Sequence, residues 1–386
     1  MKRRPFLMWG CAHCALLAAS AARAQVTPPA AWTQPPRFAA PHPGSDEGGL
    51  WAQMAREEQR LRRGASVIRD PKLDAYLKAV SCRLVGDHCE DLRVYAVRTP
   101  LFNAVMAPNG MMQIWSGLLL RVENEAQLAT IVGHEAGHYL QRHSVERLRD
   151  AKSRSAAMTF FAAFGLVGAL AQLLAVAGLY SYSRDQEREA DRVGLVLMQR
   201  AGYDTREAAK VWDNLLDELK ARPGADPEKD SILFATHPGI AERRDALVQM
   251  AQPDGEVGEA ALREALKPAQ PMLLADELAR GQYDQTIALL DRLVAREPQR
   301  ADLRYTRGEA RRLRADGNDV MLAVDDFKQT IALAEPPPAV YRSLGLVYRD
   351  QRQRDAAVQS FSRYLELAPD AADAGMIKSY LEELPS

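Results

Sequence analysis

The sequence predicts an α+β fold that is mostly helical, with a small sheet in its first domain and an all-α stack of repeats at its end. Segments with apolar residues at helical spacing precede and follow two short extended runs between residues 92 and 115. A second pattern recurs every 34 residues in the last third of the chain. The chain has 386 residues, 47% hydrophobic and 26% charged, which excludes a mostly disordered or collagen-like protein.

The N-terminus, residues 1–24, has the layout of a secretory signal peptide. Basic residues at 2–4 precede an apolar run, and an Ala-Arg-Ala tripeptide then offers small residues at the positions that a signal peptidase reads. We expect cleavage after this tripeptide, because the run is short for a membrane span. The alternatives are a membrane anchor or a lipid anchor through Cys11 or Cys14. Residues 25–49, rich in Pro, Ala and Gly, predict a flexible leader.

Cys82 and Cys89 are the cysteines that remain after removal of the predicted signal peptide. They lie seven positions apart with Gly86 between them. In the oxidising compartment that export implies, this spacing favours a disulfide. The alternative is two reduced thiols in separate packing sites.

Residues 50–252 are predicted to form one domain that begins with helices and continues with short strands. Extended runs at 92–97 and 111–115 are separated by a Pro-Asn-Gly turn. The second run is a candidate edge strand on which an extended peptide would pair, although an ordinary interior strand explains it equally well. A helix is expected to start at Asn124, with Gln127 completing a capping box.

The chemical centre of the sequence is a His-Glu-Ala-Gly-His pentapeptide at residues 134–138. On a helix, His134 and His138 lie one turn apart on the same face, where two imidazoles bind one zinc ion. Glu135 projects beside them, where a general base would deprotonate a water held by the zinc. The apolar flanks predict a buried helix. Two core histidines and a solvated glutamate are the structural alternative.

A catalytic zinc needs a third protein ligand and one open position, and an acidic segment at 183–191 supplies the candidates. Glu187 and Asp191 share one helical face. Glu187 is expected to reach the metal, and Asp191 to hold a ligand histidine by its second ring nitrogen or to assist proton transfer. Glu189 points to the opposite side and is assigned a salt-bridged or solvated role. The alternative is an exposed acidic helix face, which is the commoner origin of such a charge run.

Several motifs occur in an order that resembles one family of enzymes. They are Asn103-Ala104, Pro108-Asn109-Gly110, Gly117-Leu118-Leu119, the pentapeptide, Glu187-Arg188-Glu189-Ala190-Asp191, and Thr236-His237-Pro238 followed by Arg243. Over residues 50–386 the chain resembles the BepA-type periplasmic metallopeptidases, within the wider gluzincin group that includes HtpX. The resemblance implies a zincin-type metallopeptidase domain that binds one Zn²⁺ ion. The site residues it implies are the zinc ligands His134, His138 and Glu187, the general base Glu135, and the motif aspartate Asp191.

His237 belongs to a Thr-His-Pro segment that the resemblance places close to the metal cleft. We expect His237 either to steady the oxyanion or to occupy the open position of the zinc in a resting state. The alternative is a histidine that caps a turn before Pro238.

Residues 156–180 form an uncharged apolar segment that is long enough to be a transmembrane candidate. A single span would place the helix of His134 and the helix of Glu187 on opposite sides of a bilayer, where one zinc ion could not hold both. We therefore predict a buried or membrane-touching helical hairpin beside the metal site. A membrane-embedded element is the alternative.

Residues 268–386 are predicted to form a tetratricopeptide solenoid of about three helix pairs, which suits the binding of a protein on its concave surface. Gly308 precedes Gly345 by 37 residues, which implies a three-residue insertion near 317–321. An unrelated helical bundle is the alternative. Pairs of residues separated by one 34-residue repeat are Ala323 with Ala357 and Phe327 with Phe361.

Two functions compete. The resemblance implies a periplasmic zinc-dependent endopeptidase that degrades misfolded or stalled outer-membrane proteins, with the repeats docking substrate or the assembly machinery. The alternative is a non-proteolytic chaperone or assembly factor for outer-membrane proteins with a silent or structural metal site. Glu135 favours the enzyme, because a structural zinc rarely needs a general base. Nucleic acid is not an expected partner, because a net charge of -1 provides no strong basic field.

Overall fold

The predicted fold class is confirmed, because helices surround one small three-stranded sheet and further helices follow to the C-terminus. The computed structural model describes residues 32–153, 182–226, 237 and 239–384. From residue 34 onward they belong to one compact unit. The predicted signal peptide at 1–24 and the apolar segment at 156–180 lie outside the described residues. No helix within the described ranges has the length and apolar character needed to cross a bilayer.

The first part of the chain contributes most of the helices around the sheet. They are α1 (Asp46–Arg63), α2 (Pro71–Val85), α3 (Ser116–Arg121), α4 (Glu125–Leu140), α5 (His143–Ser153), α6 (Arg184–Arg200), α7 (Glu207–Lys220) and α8 (Ile240–Met250). Helix α1 starts inside the predicted leader, because Ser45 caps it by accepting a hydrogen bond from the Gly48 N–H at 3.0 Å. Gln34 donates to the carbonyl of Val85 at 2.7 Å, so this part of the leader is held against α2.

The sheet contains β1 (Arg93–Val97), β2 (Ala104–Met106) and β3 (Met111–Trp115) in the order β1-β3-β2. Strand β3 runs parallel to β1 and antiparallel to β2. It is therefore the central strand, and the hypothesis of an edge strand at 111–115 is wrong. The apolar residues on both faces of β3 are typical of a strand that is covered on both sides. Strand β2 was not predicted, since three residues are too few for a periodic pattern.

Helix α4 starts at the predicted cap. The Asn124 Oδ1 atom accepts a hydrogen bond from the Gln127 N–H at 2.8 Å. The capping box differs from the prediction, because Gln127 Oε1 accepts from the backbone N–H of Glu123 at 2.9 Å instead of that of Asn124. Glu207 of α7 lies 2.9 Å from the side-chain amides of both Asn124 and Gln127, which ties α7 to this end of α4. Every residue of α4 is buried.

Helices α4 and α6 cross at very short distance because glycines lie at the crossing. A Cβ atom at Gly137 would lie 2.8 Å from the carbonyl oxygen of Ala190 and 2.9 Å from its Cα. A Cβ atom at Gly133 would lie 3.2 Å from the carbonyl oxygen of Gly194. Larger residues would push the two backbones apart. The crossing therefore brings the histidine face of α4 against the first turns of α6.

Cys82, near the end of α2, lies beside Cys89 in the 3₁₀ turn Gly86–Asp91 that follows it. The two sulfur atoms are 1.95 Å apart, which is bonding distance. The structure thus pairs the two cysteines that the sequence analysis predicted as partners.

The C-terminal helices are α9 (Glu259–Leu266), α10 (Gln270–Ala279), α11 (Tyr283–Arg296), α12 (Ala301–Arg314), α13 (Asp319–Ile331), α14 (Ala339–Asp350), α15 (Arg354–Leu367) and α16 (Ala374–Glu383). A Cβ atom at Gly308 would lie 2.6 Å from the ring of Phe327, and one at Gly345 would lie 2.3 Å from the ring of Phe361. The same glycine-to-phenylalanine contact thus occurs in two successive helix pairs. The assignment to tetratricopeptide repeats stays a prediction, as do the domain limits at 252 and 268.

A buried ion cluster, here called the Arg121 cluster, joins the first domain to the C-terminal helices. Arg121 of α3 places Nη2 2.5 Å from Glu218 of α7 and 3.0 Å from both carboxylate oxygens of Glu277 of α10. Arg280 also donates to Glu277, at 2.7 Å. Two guanidinium groups therefore face two carboxylates, which satisfies the pairing that buried charges require.

Candidate metal centre

Four buried side chains converge between α4 and α6. His134, His138, Glu187 and His237 each offer one ligand atom, and these atoms all lie within 4.8 Å of one another. The Nε2 atoms of His134 and His138 are 3.1 Å apart. The carboxylate of Glu187 lies 3.4 Å from the first of these nitrogens and 3.3 Å from the second. The structure thus brings the three predicted ligands together and adds His237 to them.

Local helix structure fixes where these ligands lie. His134 and His138 are separated by one turn of α4, so that their rings project from the same face. Glu187 lies in the first turn of α6, which begins at the N-cap Ser183. Ser183 and Gln186 form a reciprocal capping box, with both hydrogen bonds at 3.2 Å. The cap sets where α6 begins, and therefore which acidic residue faces α4.

His237 lies between Glu187 and Glu135. Its Nδ1 atom is 3.0 Å from Glu187 Oε1 and 3.3 Å from His134 Nε2. Among the described residues its buried Nε2 atom has no hydrogen-bond partner, and it lies 3.7 Å from Glu135 Oε1. The ring nitrogen that His237 directs towards the other three ligands is therefore Nδ1, whereas Nε2 faces Glu135.

Asp191 and Arg243 support the His134 side of the cluster. Asp191 Oδ1 lies 2.9 Å from His134 Nδ1, the ring nitrogen that faces away from the other ligands. Arg243 donates through Nε to Asp191 Oδ2 at 2.7 Å and through Nη2 to Oδ1 at 2.8 Å. Its Nη1 atom lies 2.5 Å from Glu187, so one guanidinium orients both carboxylates. The ring of Trp212 lies under Arg243, with its centroid 5.3 Å away.

The charges around His134 favour a cation at this place. Burial and the nearby Arg243 oppose protonation of His134, but its hydrogen bonds with Asp191 and Glu187 outweigh them and raise its pKa to about 9. Burial lowers the pKa of His138 well below its usual value, against the effect of Glu187. The pKa values of the two imidazoles are therefore shifted in opposite directions, because the carboxylates contact His134 more closely.

The cluster fits a divalent cation in both charge and ligand chemistry. Three buried carboxylates, those of Glu135, Glu187 and Asp191, accompany one buried guanidinium, that of Arg243. A metal requires its ligand imidazoles to be neutral, and in that state this composition has an excess of two negative charges, which one divalent cation balances. Two imidazole nitrogens and a carboxylate oxygen are a donor set typical of zinc. The four residues can thus hold one metal ion, and the donor set fits zinc.

Glu135 lies beside the ligands at the end of the outer strand. Its carboxylate accepts a hydrogen bond from the backbone of Met106, the last residue of β2. Glu135 is 2% exposed, and burial raises its pKa. A carboxylate with raised proton affinity suits a group that takes up a proton and releases it again.

Comparison with known sequences agrees with this geometry. The sequence profile of peptidase family M48 matches residues 68–251, a range that includes every member of the cluster. These residues are thus similar to the peptidase family M48 domain. The match ends before the C-terminal helices.

Similar proteins occur in bacteria and in mitochondria. The beta-barrel assembly-enhancing protease of Escherichia coli strain K12 is 30% identical over 215 residues, which is 50% of this chain and 42% of that protein. A putative beta-barrel assembly-enhancing protease of Vibrio cholerae is 26% identical over 328 residues, 80% of this chain and 58% of that protein. The mitochondrial metalloendopeptidase OMA1 of Arabidopsis thaliana is 31% identical over 218 residues, which is 53% of this chain and 43% of that protein. The chain therefore spans about half the length of these curated relatives.

Sequence analysis missed several side chains that surround the candidate metal ligands. Arg243 was noted as part of a motif, but its pairing with Asp191 and Glu187 was not foreseen. His143 places Nδ1 2.8 Å from the Nδ1 atom of His138, and its position five residues after that ligand was the available signal. The ring of Tyr182 stacks on His138 with a centroid distance of 3.7 Å, and no sequence pattern indicated this contact.

Proposed function

We propose that this protein is a zinc-dependent endopeptidase that cleaves misfolded or stalled outer-membrane proteins. The observation that carries the proposal is the convergence of His134, His138 and Glu187, with Glu135 buried beside them. In this proposal, these three residues are the metal ligands, Glu135 is the general base, and Asp191 orients His134. The M48 domain and the names of the related proteases support the reaction class.

The residues of the chain suit hydrolysis of a peptide bond. Zn²⁺, when bound, supplies a Lewis acid that polarises the scissile carbonyl and makes a water molecule more acidic. Glu135 takes the proton from the attacking water and later delivers it to the leaving amine. Arg243 and Asp191 keep His134 in the tautomer whose Nε2 lone pair faces the other ligands. The burial of Glu135 and of the ligands excludes competing solvent from these steps.

Strand β2 is the strand that lies closest to the proposed chemistry. Among the described residues it pairs with β3 on one side, and its last residue, Met106, contacts Glu135. An extended substrate that pairs with β2 would pass directly in front of Glu135. Recognition through backbone hydrogen bonds would make cleavage depend more on substrate disorder than on substrate sequence.

We propose that His237 occupies the open position of the zinc in a resting state. Catalytic zinc sites keep one position free, whereas four protein ligands are typical of closed structural sites. The position of His237 beside Glu187 and His134 supports this role, since it would complete four ligands. Substrate cleavage then requires His237 to move away from the metal.

The remaining parts of the proposal concern compartment and partners. The pairing of Cys82 with Cys89 agrees with an oxidising compartment and with export to the periplasm by the predicted signal peptide. The C-terminal helices, proposed as a tetratricopeptide domain, would dock substrate or the outer-membrane assembly machinery. Residues 156–180 remain a candidate for peripheral membrane contact.

A non-proteolytic assembly factor is the second candidate function. It is favoured by one observation, the presence of four ligands, because such a closed site holds zinc without catalysis. The two functions differ in what replacement of His237 achieves. In the enzyme it opens the site, and in the assembly factor it only weakens metal binding.

The substitution Glu135→Gln tests the proposed enzyme directly. It keeps the shape and burial of the side chain but removes the general base, so we expect cleavage of casein to fall about a hundred- to ten-thousandfold. Zinc content, measured by atomic emission, and the thermal unfolding curve should stay those of the wild type. Unchanged cleavage by the variant would contradict the role of Glu135. Failure of the zinc-loaded wild type and of His237→Ala to cut any unfolded substrate would favour the assembly factor.

The substitution His237→Ala tests the resting position. We expect faster cleavage of casein together with weaker zinc binding, because one ligand is removed and the catalytic position is opened. Slower cleavage at unchanged zinc affinity would instead indicate that His237 steadies the oxyanion. If neither cleavage nor zinc affinity changed, His237 would have no role in the site.

A further inference from the structure

His143 is a buried histidine that the proposed reaction does not use. It is the first residue of α5 and is 1% exposed. Arg142, with a φ of 59°, reverses the chain between α4 and α5. This turn returns His143 to His138, five residues earlier, so that the two Nδ1 atoms lie 2.8 Å apart.

The proposed metal site determines how protons are arranged in this pair. His138 directs Nε2 towards Glu187 and His134, and a ligand nitrogen must be unprotonated. The proton of neutral His138 is therefore on Nδ1, from which it is donated to His143. Because His143 accepts at Nδ1, it carries its own proton on Nε2.

The next group along this chain of hydrogen bonds is Glu189. The Nε2 atom of His143 lies 3.4 Å from Glu189 Oε2, and the other carboxylate oxygen accepts from the side-chain amide of Gln141. The carboxylate end of this chain is partly solvated, since the Glu189 side chain is 39% exposed. The predicted salt-bridged or solvated role of Glu189 is thus joined by a contact with the ring of His143.

The two ligand histidines are consequently supported in different ways. His134 contacts the carboxylate of Asp191 directly, whereas His138 contacts a neutral imidazole that in turn contacts Glu189. The face of the His138 ring is also covered, by the stacked ring of Tyr182 at 3.7 Å. The edge contact with His143 fixes rotation of the His138 ring within its plane, which stacking alone leaves free.

We propose that His143 is a positioning residue that fixes the tautomer and orientation of the zinc ligand His138, with Glu189 orienting His143. This inference rests on the proposed metal site. A partner of this kind raises metal affinity because the ligand ring need not be ordered when the ion binds. His143 would then affect how tightly zinc is held without touching the metal.

The variants His143→Leu and His143→Asn separate hydrogen bonding from packing. Leucine fills space without an acceptor, whereas the Asn amide oxygen takes the place of Nδ1. We expect zinc affinity, measured by chelator competition on the full chain, to fall about ten- to a hundredfold in His143→Leu. His143→Asn should recover most of this loss. The absorption spectrum of the cobalt-substituted protein should change in the leucine variant and return towards the wild type in the asparagine variant.

Further variants keep the inference testable if the leucine variant does not fold. His143→Gln reaches the position of Nε2 instead of Nδ1, so it should bind zinc more weakly than His143→Asn. Glu189→Gln should cause a smaller loss, and that loss should disappear when combined with His143→Gln. Equal zinc affinity of the asparagine, glutamine and wild-type chains would overturn the positioning role alone. A wild-type chain that binds no zinc would overturn the proposed function as well.

Discussion

Two clusters of buried charge in this molecule are balanced in different ways. In the Arg121 cluster, Arg121 and Arg280 face Glu218 and Glu277, so the protein itself supplies both signs. Within the described part of the chain, the metal centre has three carboxylates and one guanidinium, that of Arg243. The first cluster is a structural joint between the first domain and the C-terminal helices. The second is complete only with a cation.

This difference separates a structural role from a chemical one. Buried charges are retained when each is paired, because an unpaired charge loses its hydration without compensation. An excess of carboxylates over guanidinium groups around imidazole ligands therefore favours a cation at this place. It predicts that the stability of the metal centre depends on zinc, whereas the stability of the Arg121 cluster does not.

The substitution Arg121→Met should have the largest effect on stability. It leaves Glu218 and Glu277 buried without their shared partner, so we expect a loss of about 3–5 kcal/mol in the free energy of unfolding. Denaturant unfolding with and without a zinc chelator measures this loss. It should be the same in both conditions, because the two clusters share no residue.

Arg98→Met provides the matched control for this prediction. Arg98 makes a bidentate pair with Asp276 of α10 at 2.7 Å, but its side chain is 52% exposed. Exposed pairs contribute little, so this variant should lose far less stability than Arg121→Met. Similar losses in the two variants would show that burial of the Arg121 cluster does not determine its contribution to the free energy of unfolding.

Removal of zinc should have the next largest effect. A ligand that binds only the folded state stabilises it by about 2.7 kcal/mol when its free concentration is a hundredfold above Kd. Chelation should therefore lower the free energy of unfolding of the wild type by about this amount. Glu187→Gln, which removes a charged ligand, should show a much smaller response to the chelator. An equal response in both chains would place the metal elsewhere.

The glycine at the α4–α6 crossing should have a smaller effect on stability. In Gly137→Ala, the new Cβ meets the Ala190 backbone at 2.8 Å, so we expect a loss of about 1–3 kcal/mol, together with weaker zinc binding. Gly49→Ala is the matched control, because a Cβ there meets nothing within 4 Å. Alanine should stabilise that exposed helical position by up to about 1 kcal/mol. A well-tolerated Gly137→Ala would mean that the crossing does not set the ligand geometry.

The sequence predicted the parts of the site that depend on local spacing. His134 and His138 are one helical turn apart, and the Asn124 cap is also a local pattern. The convergence of α6 on α4 depends on backbone contact at Gly137, which no periodicity reveals. The support from Arg243 and Tyr182 is likewise tertiary, since each lies far along the chain from the ring it contacts. The central position of β3 could have been inferred from its two apolar faces, but the three-residue strand β2 that makes it central could not.

The most direct test of the central claim is X-ray absorption at the zinc K-edge, combined with the metal content of the mature chain. We predict one zinc per chain, with nitrogen and oxygen ligands at about 2.0–2.2 Å and no sulfur ligand. The signal of one imidazole should disappear in His138→Ala. A chain that binds no zinc, or zinc whose ligand shell is the same in wild type and His138→Ala, would contradict the account.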